Sequence, residues 1–170
     1  MKLRISRRWL LPALVIAVLL AATPLAVLEL VRTGEIYLFS PRFVAEMFAR
    51  LSGPGRMRFI FQPAAAIILG VRDGMRDARA GSPPFLSALV FHRERRPGLL
   101  RAALESLRNL VAIAILLDVV SQFLMFRVIH PGAALLLGPV LISVPYALSR
   151  ALANRIARWR GARLSSAHAS

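Results

Sequence analysis

The chain has 170 residues, 57% of them hydrophobic, with a mean hydropathy of +0.61. Its 23 Lys+Arg against 8 Asp+Glu leave a formal net charge of +15, and it has no cysteine, which excludes disulfides, thiolate metal ligands, a cysteine nucleophile and lipobox anchoring. The arginines flank apolar runs instead of gathering on a polar module, so the charge points to anionic lipid headgroups and away from nucleic acid.

The apolar excess is concentrated in three long runs, and helices are the only spanning elements that such uniformly apolar stretches permit. The fold class is an all-α integral membrane protein, a small helical bundle forming a single membrane domain over residues 1–170. All cations but Lys2 are arginine, a bias that fits a GC-rich bacterial genome and so an inner-membrane location.

The first span, 9–31, carries one charge, Glu29. As a helix it rises about 34 Å, enough to cross a hydrocarbon core of about 30 Å. Lys2, Arg4, Arg7 and Arg8 precede it as cytoplasmic anchors. The run is too long for a signal-peptide core and no A-x-A site closes it, so the helix is expected to be retained. Pro24 is expected to kink it, and Thr33-Gly34 to end it. Ser40-Pro41 reads as an N-cap followed by proline at the first helical position. It opens an amphipathic interfacial helix at 41–51, with Phe43, Val44, Met47, Phe48 and Leu51 on one face and Arg42, Glu46 and Arg50 on the other. Ser52-Gly53-Pro54-Gly55 breaks it.

The stretch 59–71 spans only about 20 Å as a helix, the length of a short span or a re-entrant segment. It counts here as the second of four membrane segments. A basic cytoplasmic segment follows at 72–109, ending in an apolar stripe (Leu99, Leu100, Ala103, Leu104, Leu107) that leads into the span at 110–127. The last span covers 132–149, and 150–170 is a basic tail. The positive-inside rule sets the 72–109 segment and the C-terminus in the cytoplasm, and the cations before the first span favour a cytoplasmic N-terminus.

Asp118 is the sharpest candidate residue. An acid in mid-span costs roughly 2.5–3.5 kcal/mol on insertion scales, and Ser121 and Gln122 share its helix face. This polar stripe reads first as a hydrogen-bonding seam between helices, tolerant of Asp118→Asn, and second as a proton or cation path. No second buried ionisable group is evident beside it. Gly138, Pro139 and Ser143 mark a helix-packing face in the last span. Arg93, Arg95, Arg96, Arg101, Arg108 and Trp159 are candidates for contact with lipid headgroups or a partner.

The segment Asp73-Gly74-Met75-Arg76-Asp77-Ala78-Arg79 superficially resembles the opening of the CDP-alcohol phosphotransferase signature. The spacing here is three residues where that family has two, and its later glycine and paired aspartates are absent. The two-metal site that the resemblance would imply is therefore not expected. His92, His130 and His168 are far apart in sequence, no carboxylate–histidine cluster has metal-ligand spacing, and no phosphate loop or nucleophile elbow occurs. Neither metal nor cofactor is expected. These features together point to a non-enzymatic accessory, scaffold or assembly subunit of a membrane complex, with partner subunits or further copies of itself. An oligomeric channel or transporter built on the Asp118 stripe ranks second, and a lipid-processing enzyme third.

Overall fold

The computed structural model describes residues 9–53 and 55–167, with side chains through 161. Lys2, Arg4, Arg7, Arg8, Pro54 and His168 lie outside the described residues. Every regular element among the described residues is helical: α1 (Leu10–Thr33), α2 (Pro41–Ser52), α3 (Arg58–Arg79), α4 (Phe85–Phe91), α5 (Arg96–Phe126) and α6 (Pro131–Ala167), with single 3-10 turns at Tyr37–Phe39 and Arg93–Arg95.

The helix ends follow local chemistry. Gly34 adopts φ 69° and donates its N–H to the Leu30 carbonyl, closing α1 as a left-handed C-terminal residue does. The Ser40 hydroxyl accepts from the Phe43 N–H and Pro41 occupies the first turn of α2. Arg127 ends α5 with φ 58°, a conformation that costs a side-chain-bearing residue about 1–2 kcal/mol. Pro24 lies within α1, which continues through it.

Three helical stretches are long and apolar enough to cross a membrane: Leu10–Thr33, Arg93–Phe126 and Pro131–Gly161. Four segments are expected from sequence, but α3 does not join this set. Its apolar part, 59–71, runs without a break into Arg72, Asp73, Arg76 and Asp77. Helices α5 and α6 are each continuous across 109 and 149, so the apolar stripe before 110 and the start of the basic tail after 149 belong to the same helices as the apolar runs beside them.

The chain divides into two compact units, one from Met1–Gln62 and Arg108–Leu141, the other from Pro63–Leu107 and Ile142–Ser170. In the first, Val15 and Leu19 of α1 form a buried cluster with Ala112, Ile115 and Val119 of α5 and Ala134 of α6. Here α1 and α5 run parallel. Trp9, just before α1, lies beneath the Arg108 guanidinium at 5.0 Å. Glu29, near the end of α1, reaches His130, just past the end of α5, at 3.1 Å. A Cβ on Gly138 of α6 would meet the Ile115 backbone N at 3.0 Å, so this glycine sets how closely α5 and α6 approach. In lipid such proximity matters, because apolar surface gains little by leaving one apolar medium for another and close packing carries the association.

In the second unit Ala66, Gly70 and Gly74 recur every four residues along α3. Cβ atoms at Gly70 and Gly74 would run into the backbone carbonyls of Tyr146 and Arg150. This small-xxx-small row lets α3 lie directly against α6. Phe85, Ala88, Ala103, Leu107 and Ile142 are buried in the same unit.

Candidate functional site

The polar centre of the first unit is built around Asp118, whose side chain is 2% exposed. Arg58 Nη1 lies 2.6 Å from its Oδ1 and Arg50 Nη1 3.3 Å from the same oxygen, and both arginines are buried. Gln122, one turn further along α5, donates its amide N–H to Asp118 Oδ2 at 2.6 Å. The absence of a second buried ionisable group, expected from sequence, is thus corrected. Asp118 is a counter-ion to two guanidiniums and not a lone acid in a hydrogen-bonding seam.

The helix periodicity of α2 explains where the first arginine comes from. Arg42, Glu46 and Arg50 recur every fourth residue on its polar face, which reads as facing headgroups. The structure turns that face onto the Asp118 centre, with Arg42 half-exposed and Arg50 at 1%. Acids in mid-span commonly pair with another ionisable group, and that tendency is the available signal for Arg50. Arg58 had no comparable signal, since it reads as a flanking charge.

From Arg50 the polar groups close into a ring. Arg50 Nη2 donates to the Tyr37 hydroxyl at 3.0 Å, which donates to a Glu46 carboxylate oxygen. Arg42 bridges Glu46 and Glu29 at 2.7 and 2.6 Å. His130 Nε2 meets the other Glu29 oxygen at 3.1 Å. The His130 backbone N–H donates to Gln122 Oε1 at 2.7 Å, returning the path to Asp118. The Tyr37 and His130 rings stack with centroids 3.5 Å apart. The carboxylates Glu29, Glu46 and Asp118 match the guanidiniums Arg42, Arg50 and Arg58 one for one, which offsets part of the cost of burial. Burial and the bond to Glu46 push the Tyr37 phenol above its ordinary range, keeping it a neutral donor. Burial pushes the His130 imidazole down and lowers Arg58, with Asp118 opposing. Some polar atoms here have no hydrogen-bond partner among the described residues, namely Glu29 Oε2, Arg50 Nε, Arg58 Nε and Nη2, both amide atoms of Gln62, and both ring nitrogens of His130.

The second unit holds its own buried polar tie. Arg150 of α6 grips Asp77 of α3 through two nitrogens, at 2.7 and 3.1 Å, and lies 4.5 Å over the Phe85 ring. Tyr146 donates to Asp73 at 2.7 Å and accepts from Arg150 at 2.9 Å. Asp73 and Asp77, which read as mixed charges along a cytoplasmic helix, are therefore engaged across to α6. In the stretch resembling the phosphotransferase signature, both aspartates are occupied and Gly74 is a packing residue.

The remaining predicted residues are scattered. Ser121 is buried and abuts Gly55, whose Cβ would come within 2.6 Å of its hydroxyl. Gly138 is buried, Pro139 half-buried and Ser143 exposed. Arg93 and Arg95 are exposed. Arg96 differs from them, donating to the Leu89 and Val90 carbonyls at 2.6 and 2.8 Å and so holding the end of α4. Arg101 pairs with Glu105 at 3.3 Å, Arg108 covers Trp9, and Trp159 is exposed.

A cavity of about 200 Å³ opens beside the polar ring, where the end of α1, the 34–40 connection and the start of α6 meet, lined by Glu29, Glu35, Tyr37, Arg42 and His130 among apolar residues. Asp118 does not line it. Among the described residues no three His, Asp or Glu side chains are grouped to hold a metal ion. No family model, curated protein or solved structure matches this chain.

Proposed function

We propose that this protein is a small accessory or scaffold subunit of a bacterial inner-membrane complex, without catalysis of its own. The observation that carries this reading is the engagement of Asp118 by Arg50, Arg58 and Gln122. The acid that a transporter or enzyme would need to expose is tied across elements and buried. The same geometry removes the main support for a channel built on the Asp118 stripe. Meanwhile the apolar stretch of α1 is only 17% buried, which leaves most of its surface for lipid or a neighbouring subunit. Arg93 and Arg95, with exposed Phe91 beside them, suit anionic headgroups.

In this reading the chain crosses the membrane four times, with both termini in the cytoplasm. The parallel course of α1 and α5 supports the count. Two parallel spans require the chain between them to return across the bilayer, and α3 is the longest helix in that interval. Its 13 apolar residues, 59–71, are short for the task, and local thinning with arginines reaching to the headgroups makes up the difference.

Purification in mild detergent, followed by identification of co-purifying proteins, tests the role. A stoichiometric partner is expected. A lone homo-oligomer that conducts ions, or purified protein that turns over a phospholipid or isoprenoid substrate, overturns it.

A further inference from the structure

The cavity at the end of α1 is lined by Glu29, Tyr37, Arg42 and His130 of the polar ring, and it adds Glu35 to them. Its lining carries two carboxylates, Glu29 and Glu35, against one guanidinium, Arg42. Arg42 is already bridged to Glu29 and Glu46. Glu35 is exposed on the rim and enters no ion pair among the described residues. The lining is therefore net acidic.

A second, independent feature is His130. It is 5% exposed, lines the cavity and stacks on Tyr37. Its Nε2 lies against Glu29, while its buried Nδ1 has no hydrogen-bond partner among the described residues. Nε2 is also without a hydrogen bond, since its 3.1 Å contact with Glu29 is not one, so whichever ring nitrogen lacks the proton is an acceptor without a donor. A buried polar atom left in this state costs free energy until a donor satisfies it. Glu29 Oε2 is likewise buried and forms no conventional hydrogen bond. Two carboxylates and an imidazole acceptor around a small cavity call for a compact cation with several N–H donors. Leu30, Ile36 and Leu38 in the same lining fit an attached carbon chain.

We propose that this cavity binds a primary ammonium group. Its position at the end of an apolar helix, where headgroups lie, admits two sources of that chemistry: an ethanolamine-type phospholipid or a free short-chain amine. A quaternary ammonium offers no N–H to donate.

The test uses the full chain in detergent. Native mass spectrometry is run with equal amounts of phosphatidylethanolamine, phosphatidylcholine and phosphatidylglycerol carrying identical acyl chains. In parallel, free ethanolamine and choline are titrated while thermal stability is followed. Retention of phosphatidylethanolamine over phosphatidylcholine by about tenfold is expected, the value of one charge-assisted hydrogen bond. Stabilisation by ethanolamine but not choline, without lipid selectivity, assigns the site to a free amine and also supports the proposal. Glu35→Gln sits on the rim and leaves the buried ring intact. His130→Phe preserves the stack on Tyr37 and the backbone bonds to Gln122. Each variant should reduce the preference severalfold. Absence of preference in both arms overturns the proposal, as does a preference that neither variant changes.

Discussion

At the scale of single residues, the decisive quantity is how many charges lose a partner when one side chain changes. Replacing Asp118 leaves Arg50 and Arg58 buried without their carboxylate, and breaking a buried pair from one side typically costs about 3–5 kcal/mol. Asp118→Asn is therefore expected to lower stability or expression sharply, although an asparagine would satisfy a plain hydrogen-bonding seam. Pairing it with Arg58→Met should recover part of the loss, as read by chemical unfolding in detergent; equal stability of Asp118→Asn and wild type would contradict the ion cluster. His130 gives a second handle. Burial, reinforced by Arg42 and Arg50 and opposed by Glu29 and Glu46, holds its imidazole below the ordinary 6.5. The unfolded chain then takes up the proton first as pH falls, so stability declines below about pH 6.5 until the folded imidazole itself titrates. Melting curves at about pH 7.5 and 5.5 should separate more for wild type than for His130→Phe. Of these two residues, Asp118 stands out in the sequence because an acid interrupts an apolar run. His130 does not, because what distinguishes it is its position between Glu29 and Tyr37, residues about a hundred positions earlier in the chain.

At the scale of elements, the glycines separate close approach from open space. Gly74 lies against the Arg150 backbone and Gly138 against that of Ile115, while nothing lies within 4 Å of a Cβ on Gly161. Gly74→Ala and Gly138→Ala should each destabilise, because backbone has to shift. Gly161→Ala in the exposed helix should add about 0.5–1 kcal/mol, the helix preference of alanine over glycine. Thermal unfolding followed by circular dichroism ranks the three, and a gain at Gly74 would argue against the α3–α6 seam. Apolar period and capping residues made most helices readable: Ser40-Pro41 started α2 and Gly34 ended α1 as their chemistry requires. The orientation of each helix was harder to read. The α2 face of Arg42, Glu46 and Arg50 looks the same in sequence whether it meets headgroups or a buried acid. The Ala66, Gly70, Gly74 row was legible in principle from its spacing, but the charges interleaved with it masked a packing face.

At the scale of the whole molecule, topology is where a residue contact decides between two counts of crossings. Arginine distribution alone allows either three crossings or four, since both keep the 72–109 segment and the tail on the cytoplasmic side. The contacts Trp9–Arg108 and Glu29–His130 make α1 and α5 parallel, and parallel spans cannot be joined from one side of a membrane. Four crossings follow if α1 and α5 both span. A reporter inserted near Ser82 and another fused after Ser170 should then read cytoplasmic. One inserted near Gly53, between α2 and α3, should read periplasmic. If the Gly53 reporter is cytoplasmic while the other two are unchanged, α3 does not cross. The parallel packing of α1 on α5 would then have to be abandoned as well, because the first helix would enter from the opposite face. Cysteine accessibility gives the same answer without a bulky insertion, since the chain has no native cysteine. Single cysteines at Ser52, which is exposed beside Gly53, Ser82 and Ser170 can be probed with a membrane-impermeant thiol reagent, and labelling from the periplasm is expected only at Ser52.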